Sequence, residues 1–151
     1  MTSKSRFAGS RLAGAALLAL ALIAGGGNAW LADAERARTY TVDFQRGATP
    51  PDAAHGIAEA TAAKLASNPD MAAVVVGHTG TLGDPEANRK LAQARAATIA
   101  EMIVDQGIAT GRVETYAAGG AEPLARGEDE SERAYQRRLA RVEVRLTVPL
   151  P

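Results

Sequence analysis

The sequence predicts a layered α/β domain of the order β-α-β-α-β-(α)-β, with helices packed on a mixed sheet of about four strands. Three observations predict it. Tyr40, Val42 and Phe44, and later Val142, Val144, Leu146 and Val148, alternate with polar residues, the period of half-buried strands. Ala72 to Val76 is a short continuous apolar run holding three valines, as in a strand buried on both faces. Between these strands lie stretches whose apolar residues recur every three to four positions, the period of a helix.

In chain order, Tyr40–Phe44 is the opening strand, and Gly47 to Pro51 (GATPP) breaks it. From Asp52 to Ser67 the residues Ala54, Ile57, Ala58, Ala62 and Leu65 form one face of an amphipathic helix, with His55 on the polar face, and Asn68-Pro69-Asp70 stops it. After the strand Ala72–Val76, the seven residues GHTGTLG (Gly77 to Gly83) read as a turn. Asp84-Pro85 is then a helix cap followed by a first-turn proline. That helix runs to about Gln106, with Leu91, Ile99, Met102 and Ile103 towards the core and Gly107 as C-terminal cap. Arg112 to Tyr116 is a third strand, Ala118 to Asp129 a loop, and Glu130 to Leu139 a short charged helix. Val142 to Val148 closes the sheet.

The first 32 residues stand apart. Lys4, Arg6 and Arg11 precede Leu12 to Ala32, a stretch without charge, as in a secretory signal peptide. Gly27-Asn28-Ala29 and Ala32-Asp33-Ala34 are candidate cleavage sites. An uncleaved anchor is the alternative, because about 20 apolar residues cross a bilayer, although Gly25-Gly26-Gly27-Asn28 interrupts the second half. Either way the three cations stay inside and the rest is exported, to the periplasm or cell envelope. Residues 33–39 read as a linker and 40–148 as the domain.

Composition narrows the chemistry. The chain has 17 bases and 17 acids and no cysteine, which excludes a disulfide scaffold, a thiolate metal site, a cysteine nucleophile and a lipid-bearing cysteine. With the three leader cations removed, 14 bases face 17 acids, so no broad basic surface for nucleic acid is expected. Two histidines, His55 and His78, do not make a usual histidine metal site, and no cofactor is expected. Without a G-x-S-x-G elbow or paired carboxylates, catalysis is not expected either.

The strand–turn–helix around residue 80 is where binding chemistry concentrates. A glycine turn before a helix offers backbone N–H groups at the positive end of the helix dipole, a generic anion site. Asn88 and Arg95, seven residues apart, share a helix face, and an arginine grips a carboxylate through two parallel bonds. A tight turn beside a solvated arginine explains the same pattern without a ligand.

The run VVVGHTGTLGDPEANRKLAQARA resembles the signature of the OmpA-like peptidoglycan-binding domain family. TYTVDFQRGATPP is similar to that family's opening strand, QGIATGRVETYAAGGAEPLA to its middle stretch and RVEVRL to its closing strand, so the resemblance spans about Tyr40 to Val148. It implies non-covalent binding of the peptidoglycan stem peptide through its diaminopimelate residue. An Asp after G-H-T would take the ammonium, and the Arg of R-A the carboxylate. Carried over, Thr79, Asn88 and Arg95 match, whereas the Asp position is Gly80. Losing one charged hydrogen bond of about 1.5–3 kcal/mol implies weakened or altered binding. Of the family's Asn-Arg-Arg before Val-Glu, this chain has Leu139-Ala140-Arg141 and retains only Arg141. A histidine is common in that family's turn, which makes His78 structural; Asp84 or Glu86 could lean into the gap at Gly80, although Asp84 is more simply the helix cap. A structural or protein-interaction domain of the envelope on the same fold is the alternative, with other envelope proteins as partners.

Overall fold

The computed structural model describes residues 39–148; the leader or anchor and most of the linker lie outside them. Four strands, β1 (Thr39–Asp43), β2 (Ala72–His78), β3 (Val113–Gly119) and β4 (Arg141–Thr147), form one sheet in the order β1-β4-β2-β3. β1 and β2 both pair antiparallel with β4, and β3 runs parallel to β2. The helices are α1 (Ala53–Ser67), α2 (Pro85–Val104) and α3 (Glu132–Leu139). A parallel neighbour needs a crossover connection, and α2 supplies it between β2 and β3.

One face of the sheet forms the core. Val42, Ala73, Val75, Val142, Val144 and Leu146 pack with Ala54, Ala58 and Leu65 of α1 and with Ala96, Ile99 and Ile103 of α2. Alanine along both helices lets them lie close to the strands. At the tightest point a Cβ on Gly77 would stand 2.0 Å from the Ala92 carbonyl oxygen, so α2 rests on bare β2 backbone there. Leu91 and Met102, expected in the core, are only half-buried. The buried stripe of α2 is instead Ala92, Arg95, Ala96, Ile99, Ala100 and Ile103. Arg112 ties the bottom of the fold by donating to the carbonyls of Leu65, Asn68 and Met71, at 2.7–3.0 Å.

Two element boundaries differ from the sequence reading in ways that matter for the site. β2 continues through Gly77 and His78, because Gly77 lies between Ala117 of β3 and Val142 of β4 and His78 pairs with Gly119 across a bulge. β3 likewise extends through Ala117 to Gly119, and Thr110–Arg112 forms a 3-10 turn before it. The turn after β2 is therefore shorter than GHTGTLG, and its glycines sit against a paired strand end.

The registers bring the ends of β1, β2 and β3 and the start of β4 to one end of the sheet, since Asp43 pairs with Arg141, Gly77 with Val142 and His78 with Gly119. In open α/β sheets the crevice beyond the carboxyl ends of parallel strands is where ligands settle. The candidate site residues Thr79, Gly80, Asn88, Arg95 and Arg141 lie at or beside that end.

Candidate functional site

Arg95 organises this end. Buried in the α2 stripe at 3% exposure, it donates from Nε to the Gly47 carbonyl (2.8 Å) and from Nη1 to the His78 carbonyl (3.1 Å). Its guanidinium lies 5.2 Å from the centre of the Phe44 ring, within cation–π range. Gly47 has φ +55°, a conformation that glycine adopts without Cβ strain. A guanidinium has five N–H donors, and Nη2 makes no hydrogen bond among the described residues although it is not one of the sealed, unpartnered atoms. Burial lowers the Arg95 pKa, yet a guanidinium stays charged in a protein. Buried charges are normally paired, and Arg95 has carbonyls and a ring around it but no carboxylate among the described residues.

The turn is braced from both sides. Thr79 donates its N–H to the Gly119 carbonyl (2.8 Å), and Asn88 donates from Nδ2 to the carbonyls of Leu82 (2.9 Å) and Gly80 (3.4 Å). The Thr79 hydroxyl donates to the Gly80 carbonyl at 3.0 Å. Asn88 and Thr79 thus hold the turn in shape. The helix N-terminus is not an open anion site, because Asp84 caps it, its Oδ2 accepting from the Ala87 N–H at 2.9 Å. Glu86 is engaged by Arg89 and Lys90.

Gly80 faces α3. A Cβ there would meet the Gln136 side-chain oxygen at 2.3 Å. Gln136 accepts from the Thr81 N–H (2.8 Å) and donates to the Thr81 hydroxyl (2.9 Å) and to Glu132 (2.7 Å). A neutral amide held by Glu132 therefore fills the space beside residue 80. No sequence signal pointed to Gln136, whose bonds to Thr81 span 55 positions of chain. Phe44 and Gly47 were likewise missed as partners of Arg95, having been read only as strand residue and strand breaker.

Arg141 stands apart from Arg95. It alternates with core-facing Val142 and so points to the other face of the sheet, where Nε donates to Glu143 (2.7 Å). On that face the His78 ring is sealed, with neither nitrogen hydrogen-bonded and Nε2 3.8 Å from Glu143. Burial, with Arg141 adding to it and Glu143 opposing, lowers the His78 pKa. Burial pushes the Glu143 carboxyl up, but hydrogen bonds from Arg145 and Arg141 outweigh it and leave the group below its usual range. No cluster of three or more His, Cys, Asp or Glu able to hold a metal ion occurs among the described residues.

Comparison with known proteins then places the chain. The OmpA family model matches residues 44–137, from Phe44 under the buried arginine to α3. The chain belongs to the OmpA family. Among curated proteins, this OmpA-family chain is 32% identical over 97 residues to outer membrane porin F of Pseudomonas fluorescens, which covers 64% of the chain and 29% of that protein. It is 35% identical over 82 residues to the peptidoglycan-associated lipoprotein of Pasteurella multocida (strain Pm70), covering 54% of the chain and 55% of that protein. The chain thus spans only a third to about half of the length of the curated relatives it matches. Of solved structures, the peptidoglycan-associated lipoprotein from Burkholderia pseudomallei superposes with a TM-score of 0.63 at 22% identity, covering 71% of this chain and 89% of that one. The periplasmic domain of Helicobacter pylori MotB gives a TM-score of 0.60 at 15% identity, covering 74% and 76%. At those identities the structures share the OmpA-like fold.

Proposed function

We propose that the protein is a non-catalytic module of the exported cell envelope that binds the peptidoglycan stem peptide, with Arg95 gripping a ligand carboxylate beside the Thr79–Gly80 turn that Asn88 braces. The single observation that carries this reading is Arg95 itself. It is a nearly sealed cation with no anionic partner among the described residues, and one nitrogen is left free at the end of the sheet. A carboxylate arriving there would supply the missing counter-charge. The Pasteurella multocida relative is named for association with peptidoglycan, which supports the substrate class.

Because position 80 is glycine and the Gln136 amide stands where its side chain would project, the ammonium end of a diaminopimelate would meet a neutral group. The reading therefore includes weakened or altered preference for that ligand. The same observation favours a second reading, an envelope domain that keeps the fold and contacts other envelope proteins instead. Arg141, tied to Glu143 on the opposite face, takes no part in the grip as proposed.

Co-sedimentation of the full chain with purified peptidoglycan sacculi separates the two. Under the first reading the chain pellets and Arg95→Ala does not. Arg95→Ala also loses about 1–3 kcal/mol of stability for each stranded carbonyl, so it is compared with Arg95→Lys, which keeps the charge but not the fork. Loss of pelleting in both variants, while circular dichroism shows them folded, supports the carboxylate grip. Gly80→Asp alone must displace Gln136, and Gly80→Asp with Gln136→Ala pellets more strongly. A chain that stays in solution unless both changes are made belongs to the second reading.

A further inference from the structure

Most arginines among the described residues have partners. Arg89 pairs with Glu86, Arg126 with Glu132, Arg138 with Glu130, and Arg141 and Arg145 with Glu143, while Arg112 and Arg95 are wrapped in carbonyls. Arg46, Arg133 and Arg137 have no hydrogen bond or ion pair among the described residues. All three are exposed, and all three line one open groove of about 680 Å3 between the end of β1 and α3. Arg138 lines it too, and Asp43 is the single acid in its wall.

Chance scattering does not account well for this placement. Arg133 and Arg137 are one helical turn apart, a like-charge spacing that weakens a helix by a few tenths of a kcal/mol. In a chain of balanced charge, the three described arginines without a hydrogen bond or ion pair line one concave surface. Phe44 forms part of the groove wall and also carries the Arg95 guanidinium on its ring. Phe44 is therefore common to the groove wall and to the buried arginine.

We infer that this groove is a second anion subsite, which takes further carboxylates of an acidic peptide whose first carboxylate is held by Arg95. The inference rests on the reading of Arg95 as a carboxylate grip and adds a ligand class to it: a peptide with two or more free carboxylates, laid from Arg95 across Phe44 towards Arg46, Arg133 and Arg137. The concavity, and the Phe44 ring shared with Arg95, favour a peptide over a membrane surface. Exposed guanidiniums on flexible stems would act by attraction screened at high salt, in contrast to the desolvated Arg95.

The test titrates the full chain with triglutamate, and with triglutamine as the uncharged control, by two-dimensional NMR, alongside sacculus co-sedimentation. The variant is Arg133→Gln with Arg137→Gln, which removes no contact of the folded protein. Triglutamate is expected to bind where triglutamine does not, and the double variant to bind it about tenfold more weakly, with sacculus pelleting reduced in parallel and added salt mimicking the variant. Equal binding of triglutamate by the unaltered chain and the double variant, or equal binding of triglutamate and triglutamine, overturns the inference. So does retention on phosphatidylglycerol vesicles that depends on Arg133 and Arg137 without triglutamate binding, which would make the groove a membrane contact. Failure of the two proposals is distinguishable. Pelleting that needs Arg95 but is indifferent to the double variant overturns the groove and leaves the grip. Triglutamate binding that needs Arg133 and Arg137, in a chain that ignores sacculi, supports the groove and overturns the grip on peptidoglycan.

Discussion

His78 shows how a single side chain can set a pH limit without touching a ligand. Its ring is sealed on the far face of the sheet, hemmed by Arg141, Glu143, Arg145 and Glu122, and its carbonyl on the near side receives Arg95. With its folded pKa below the ordinary 6.5, the unfolded chain binds a proton that the folded one refuses as pH falls through that value. The His78 contribution to stability is therefore complete above 6.5 and declines below it. Glu143, also depressed, contributes stability above its usual 4.5 that is lost only at lower pH, as it is protonated in the fold. The two windows separate. Urea midpoints measured at about pH 7.5 and about pH 5.5 are expected to fall for the unaltered protein and to fall much less for His78→Phe; equal slopes would remove His78 as the cause.

At the scale of elements, the contact between β2 and α2 is the most constrained. Gly77→Ala drives a methyl into the Ala92 carbonyl, and because the obstacle is helix backbone the layers must part. The expected loss is about 3 kcal/mol or more in urea unfolding. Gly56→Ala is the contrast. It sits at the fourth residue of α1 with nothing within 4 Å of the added carbon, so it is expected to stabilise by about 0.5 kcal/mol. If both substitutions shift stability alike, the close approach is not what positions α2. The same contact explains what sequence periodicity could and could not reveal. β1, α1, α2 and β4 were legible because alternation and helical spacing leave a trace in the residues themselves, and Asp84-Pro85 announced a cap that the structure forms. The last residues of β2 and β3 were not, because glycines and a histidine carry no strand period, and only pairing with neighbours far along the chain makes them strand. Arg95 was singled out from its spacing to Asn88 on one helix face. Its burial against Gly47, His78 and Phe44 was not legible, since a charged residue in a helix reads as solvated until the alanines around it are seen packed.

For the whole molecule, the strand order places β4, the last element described, between β1 and β2. The sheet is thus closed by its final strand. A chain cut before Arg141 retains β1 with no partner and loses Val142, Val144 and Leu146 from the core. Such a truncation is expected to show no cooperative urea transition, monitored by far-ultraviolet circular dichroism; a retained sigmoidal transition would mean that β2, β3 and their helices fold as a unit without β4. The parts of the candidate site depend on the same closure. Gln136 reaching Thr81, Phe44 donating to the Ala140 carbonyl, and the groove between β1 and α3 all join pieces distant in sequence, which is why none of these was foreseen.

The register of β1 on β4 has a mechanical side. Thr39 leaves β1 at the end of the sheet away from Arg95, and five residue pairs from Thr39–Arg145 to Asp43–Arg141 join the two strands. A ligand held at one end and a pull on the chain preceding Thr39 at the other draw β1 along its own axis. The rungs of that ladder then share the load together and yield as one, whereas a tug across the strand would unzip them singly. The strand axis of the β1–β4 pairing is therefore the strongest direction in which a pull on Thr39 can be borne.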